Sequence, residues 1–228
     1  MFFVTKKNEK NHGIATISKI MRNFVPMKSP QHTEVTCDNI IIIDADFADK
    51  VAFDLIVNFE RIIGRPIPNA DLARWTDCLA LDGGIREGGG QTQVALIHSK
   101  GKTRMEYFTP GDFKAELDGK AFSDNLGEFV FSTLSEEDII SRADLLADTL
   151  ALALQAPEVK HIIVVPDEEY YDDIRDTIRR NAGSATQPAK HITMMAMQPM
   201  PGGQFYQEIL GYSLMSALGI KSEEINVR

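Results

Sequence analysis

Apolar and polar positions do not alternate along Asn39-Ile40-Ile41-Ile42-Ile43-Asp44. Four β-branched residues in a row require cover on both faces, which is how a central parallel strand reads. His161-Ile162-Ile163-Val164-Val165 repeats the pattern, and Gln93–Ile97 and Ile192–Met197 predict two further inner strands. Between these runs the spacing changes to the helical period. Residues 47–63 place Phe47, Val51, Leu55, Phe59 and Ile62 on one face, and Gly64 stops them. A second helix is expected over about 69–81, with Leu72, Trp75 and Leu79 inward and Gly83-Gly84 ending it.

Further along, Arg104–Phe108 and Glu128–Leu134 predict short strands, the second following a run of turn residues. Ser135-Glu136-Glu137-Asp138 resembles a capping box, so a helix is expected to open there and to end before Pro157. Helices over about 168–182 and 204–218 complete the pattern, the last with Phe205, Ile209, Tyr212 and Met215 on one face. Strands alternating with helices predict a three-layer α/β/α sandwich with a mostly parallel, Rossmann-like sheet. The expected division is a flexible basic leader over 1–36 and one α/β domain over 37–228, with an insertion at about 99–134.

Charge sharpens this division. The formal net charge is −9, yet residues 1–30 hold six basic side chains and one acidic one. The remaining 18 basic and 32 acidic side chains leave the body at −14, which repels polyanions at long range. No run of 18 apolar residues is present and the opening residues lack a secretory pattern, so no membrane partner and a cytoplasmic location are expected. Cys37 and Cys78 form no ligand spacing and are expected to be reduced thiols. The aromatic closing helix, with Phe205, Tyr206 and Tyr212, suits a homodimer contact.

Candidate chemistry collects at strand ends. Asp44 and Asp46 lie at the end of the first strand, and Asp167 and Glu169 lie just beyond the strand at 161–165. Open α/β sheets place ligands at the carboxyl ends of their strands. Neighbouring carboxylates raise one another's pKa or need a cation, and a hard ion such as Mg²⁺ suits oxygen ligands. The competing reading is local: strand-end acids cap the next helices in the chain. Asp144, one turn before Asp148, joins the set because it lies near the expected carboxyl edge. Arg86, Arg104 and Arg142 are candidate phosphate contacts. The glycine run 83–90 lacks Gly-Lys-Ser/Thr, no Gly-x-Ser-x-Gly elbow exists, and the five histidines show no ligand spacing.

The order of these segments resembles the PIN-like nucleases, especially the NYN branch. Asp44 stands at the first acidic position, Arg142-Ala143-Asp144 is similar to the second, and Val165-Pro166-Asp167-Glu168-Glu169-Tyr170 to the third. The resemblance spans roughly 39–198 and implies a ribonuclease acting on RNA through Mg²⁺ or Mn²⁺. Its catalytic residues would be Asp44, Asp144, Asp167 and Glu169; Asp46 would join them as a metal ligand. The sequence departs from that pattern at Phe47 and at Val165-Pro166, which points to a non-catalytic, metal-free interaction or scaffold protein as the alternative. A second alternative is a haloacid-dehalogenase-like phosphatase, which Asp44-Ala45-Asp46 resembles but Ala48 does not match. The whole chain also resembles an uncharacterised bacterial family with no assigned activity.

Overall fold

A computed structural model describes residues 37–181, 189–200 and 203–225; the expected leader over 1–36 lies outside them. The chain opens with β1 (Asn39–Asp44), α1 (Ala45–Ile63), β2 (Ala70–Asp71), α2 (Leu72–Asp82) and β3 (Gln91–His98). It continues through β4 (Phe108–Thr109), β5 (Ala121–Asp124), β6 (Gly127–Ser135), α3 (Arg142–Gln155), β7 (His161–Val165) and α4 (Tyr171–Asn181). It ends with β8 (His191–Ala196), β9 (Tyr206–Ile209), α5 (Leu210–Ala217) and α6 (Ser222–Ile225).

Seven strands form one sheet in the order β5-β6-β3-β1-β7-β8-β9, and β2 pairs with β4 in a small second sheet. Within the large sheet β5 alone runs antiparallel, against β6. Helices cover both faces, so the architecture is a three-layer α/β sandwich. The isoleucine run shows why two faces had to be covered. Ile41 and Ile43 enter a core shared with α1, α2 and α5, and Ile40 and Ile42 enter a second core with α3 and α4. All four are 2% exposed or less, and each such burial contributes roughly 1.5–3 kcal/mol of transfer free energy. In register, Ile41 lies between Val94 and Ile163. On the far side of that layer, a Cβ at Gly83 would fall 2.2 Å from Ile163 Cγ1, so the end of α2 seats on β7 only as glycine.

Three local expectations differ from the fold. Ser135 is the last residue of β6, paired with His98 in the parallel ladder, so it cannot open a helix. The reciprocal capping box belongs instead to Ser141 and Asp144 at the start of α3. The expected helix over 204–218 is divided: Tyr206–Ile209 pairs along β8 as the edge strand, and the helix begins at Leu210. Arg104–Phe108 is not a strand, since β4 begins only at Phe108 and Arg104 makes an isolated bridge to Asp112. The stretch 99–134 expected as an insertion holds β5 and most of β6, both members of the large sheet.

Taken without β5, the parallel strands adopt the doubly wound order in which the chain builds outward on one side of β1 and then returns to its other side. α3 carries that return, from β6 to β7. The reversal leaves a crevice outside the carboxyl ends of β1 and β7, the place where such sheets hold their ligands.

Candidate functional site

Asp44 ends β1 and caps α1. Its Oδ1 accepts from the backbone N–H groups of Asp46 at 3.1 Å and Phe47 at 3.0 Å. The side chain has no exposed surface, and Oδ2 is buried without a hydrogen-bond partner. Burial pushes the carboxyl up to about 6, against the N–H of Phe47 and the charge of Arg142, while Asp46 and Asp167 add to the rise.

Arg142, the first residue of α3, supplies the facing charge. Its Nη1 lies 3.0 Å from Asp44 Oδ1 and 2.9 Å from Asp46 Oδ2, and Nη2 donates to the Tyr170 hydroxyl at 3.4 Å. Asp46, in the first turn of α1, also accepts from the hydroxyl and N–H of Ser99 and lies 3.5 Å from Lys102 Nζ. Burial raises the Asp46 carboxyl, but the Ser99 hydroxyl, Lys102 and Arg142 outweigh it and hold the group below its ordinary value.

One turn further, Asp49 is nearly buried. It accepts from the N–H groups of Tyr107 at 2.8 Å and Glu106 at 3.1 Å and from Lys102 Nζ at 3.0 Å. Asp46 and Asp49 together therefore tie the segment 99–107 onto the start of α1. His98, at the end of β3, stacks on Phe113 with centroids 4.0 Å apart, and its Nδ1 lies 3.0 Å from the Ser99 carbonyl. Burial lowers its proton affinity, and its contacts are those of a core histidine.

The other expected ligands stand apart from this centre. The Asp144 carboxylate is taken by the N–H and hydroxyl of Ser141, which it caps. Asp167 Oδ1 accepts the N–H of Glu169 at 3.1 Å, capping the short 3-10 turn Glu168–Tyr170, and its charge reaches Asp44. Glu169 is exposed. Arg86 donates to the carbonyls of Leu81 and Ile85, and Arg104 pairs with Glu106 at 3.5 Å. The fold thus brings Asp44 and Asp46 together, with Asp167 near them, and leaves Asp144 and Glu169 at the rim. Ser99, Lys102 and Asp49 join the site without any local periodicity that marks them, and Arg142, by sequence either a phosphate contact or a solvated surface charge, pairs with Asp44 and Asp46. The turn Ser99-Lys100-Gly101-Lys102, directly after a strand adjacent to β1, is the signal that carried this information.

An oxygen-ligated divalent ion does not fit these residues as they are arranged. Such an ion needs several carboxylate or carbonyl oxygens converging on one point. Asp44 Oδ2 is the only uncommitted oxygen of the Asp44–Asp46 pair, the others being taken by N–H groups, a hydroxyl and two side-chain cations. Among the described residues no group of three or more His, Cys, Asp or Glu side chains is placed to hold a metal.

Fold and site define a doubly wound α/β protein whose switch point is closed by an internal ion-pair network. Over residues 34–225 the chain matches a family of unknown function, DUF6621, and it belongs to that family. No curated protein and no solved structure matches it. Among the described residues, no helix is long and apolar enough to cross a membrane.

Proposed function

We propose that this chain is a non-catalytic α/β interaction module in which the strand-end carboxylates have become a structural clamp. The observation that carries the reading is the Arg142 guanidinium, within 3.0 Å of Asp44 and 2.9 Å of Asp46. It supplies from α3 the positive charge that two adjacent carboxylates require, and it comes from the same chain. The order of acidic segments resembles that of PIN-like nucleases, and the clamp explains how that order persists without their metal chemistry. The strongly acidic body favours a partner with a neutral or basic protein surface over RNA.

The test pairs thermal melting with a cleavage assay on the full chain. Millimolar Mg²⁺, which seeks oxygen ligands, should leave the melting temperature of wild type and Asp44→Asn equally unchanged. Mixed RNA and DNA pools should remain intact. A Mg²⁺-dependent rise in melting temperature that Asp44→Asn abolishes, accompanied by cleavage, would overturn the reading in favour of a metal-dependent phosphodiesterase.

A further inference from the structure

The large sheet ends on one side at β9, and among the described residues no strand pairs with its outer edge. An edge strand offers a row of main-chain N–H and C=O groups to any extended segment that comes alongside. Two large side chains mark this edge as open. Tyr206, which opens β9, is 63% exposed, and Tyr212, in the first turn of α5, is 73% exposed. The opposite edge differs. There β5 stacks Phe122 on Phe129, with centroids 4.8 Å apart, and exposes only Ala121, Ser123 and Asp124.

The edge at β9 is also acidic. Glu208 is exposed, and its register beside Met195 puts it on the face of the sheet that α2 covers. Burial and the charge of Glu208 raise the carboxyl of Asp82, at the end of α2, against the charge of Arg86. The two acids therefore share one neighbourhood. A second copy pairing edge to edge would bring the same two acids to the joint again, which like charge disfavours. This edge suits an extended segment that carries positive charge.

The chain supplies one. Residues 1–30 hold six basic side chains and one acidic one, against a net charge of −14 on the remainder. Within them Phe2-Phe3-Val4-Thr5 is a run rich in strand-forming residues, and Lys6 and Lys7 follow it directly. The reach is sufficient. β1 lies three strands from β9 in the order β1-β7-β8-β9, about 14–15 Å at the usual strand spacing. Extended backbone covers about 3.3 Å per residue, so roughly five residues span that distance. These strands are parallel, so the segment preceding Asn39 meets the sheet at the same end as Tyr206.

We propose that residues 1–10 lie along the outer edge of β9 in the same chain, their main chain pairing with the strand and Lys6 and Lys7 set against Asp82 and Glu208. The carboxylate clamp stands at the other end of β1, so this contact does not depend on the function proposed for it.

The experiment uses the full chain. A carbodiimide, which couples amines directly to carboxylates, is applied to an equal mixture of isotopically light and heavy chains, and mass spectrometry identifies the joined peptides. Links from Lys6 or Lys7 to Asp82 or Glu208 should dominate and should join peptides of the same label. Lys6→Glu with Lys7→Glu should speed hydrogen exchange at the amides of Tyr206–Ile209 about threefold or more, and adding Asp82→Lys with Glu208→Lys should restore the slower rate. Links spread over the acids of the body without preference would overturn the proposal, as would exchange at β9 that ignores the lysine changes. Links found only between light and heavy chains would overturn it in favour of a second copy.

Discussion

Arg142 Nη1 lies 3.0 Å from Oδ1 of Asp44, a carboxylate with no exposed surface, joining two residues 98 positions apart in sequence. Burial of Asp44 and the clamp from α3 are therefore one structural fact. Removing the guanidinium leaves a charge in the core whose Oδ2 already lacks a partner. Arg142→Ala should destabilise the fold by roughly 2–4 kcal/mol at pH 8, measured by urea unfolding. The loss should shrink toward pH 5, where Asp44 takes up a proton.

Asp44 also sets a pH dependence. Its carboxyl is raised from 3.8 to about 6, chiefly by burial. The folded state therefore holds this proton more tightly than the unfolded state. The associated stability is complete below about pH 4 and is lost as pH rises through about 6, by up to ~3 kcal/mol. Asp44→Asn retains an oxygen for the cap and does not ionise. The stability of wild type minus that of Asp44→Asn should fall across this window; a difference that is flat between pH 4 and 7 would count against the burial argument.

Asp77 gives the same sign at a different place. Its Oδ1 is buried without a partner, and its carboxyl is raised to about 7 by burial, by the neighbouring Asp124 and by Asp71. Asp77→Asn should stabilise the protein above pH 7 and have little effect near pH 4. Because the group is partly exposed, solvent screening limits the gain to about 1 kcal/mol. Thermal melting of both proteins across pH 4–8 measures it.

Asp49 holds the segment 99–107 through two N–H groups and Lys102. Asp49→Ala should release that segment before the rest of the sheet. Hydrogen exchange at the amides of Glu106 and Tyr107 should accelerate by about tenfold or more while those of Ile41 and Ile42 keep their protection. Equal acceleration at all four positions would show global destabilisation and reject a local tie.

The ion-pair partners reveal why only part of the site was legible. Asp44 and Asp167 were readable because a continuous apolar run fixes where a strand ends, and the acids stand at that end. Asp144 has two readings: its place after Arg142-Ala143 near the expected carboxyl edge suits an acidic ligand, and its Ser-x-x-Asp spacing suits a helix cap. In the fold Ser141 claims the carboxylate. Ser99, Lys102 and Asp49 meet through a loop that returns over the sheet, and no local periodicity encodes such a return. The helix expected over 204–218 failed at its first half for a related reason. Tyr206–Ile209 could satisfy its backbone groups along β8, and that long-range ladder outweighed the helical pattern.

By itself the sequence determined the layers of this protein. Runs such as Ile40–Ile43 bury no polar group on either face, so they demand cover on both sides, and alternating helices are the local means of supplying it. The tertiary structure alone decided which charges meet. The return of the chain through α3 sets Arg142 against Asp44 and Asp46, and the parallel pairing of β7 with β8 sets His161 against His191. Hydrophobic periodicity acts over a few neighbouring residues and can be read in order. Electrostatic partners are chosen by proximity in space, which the strand order creates.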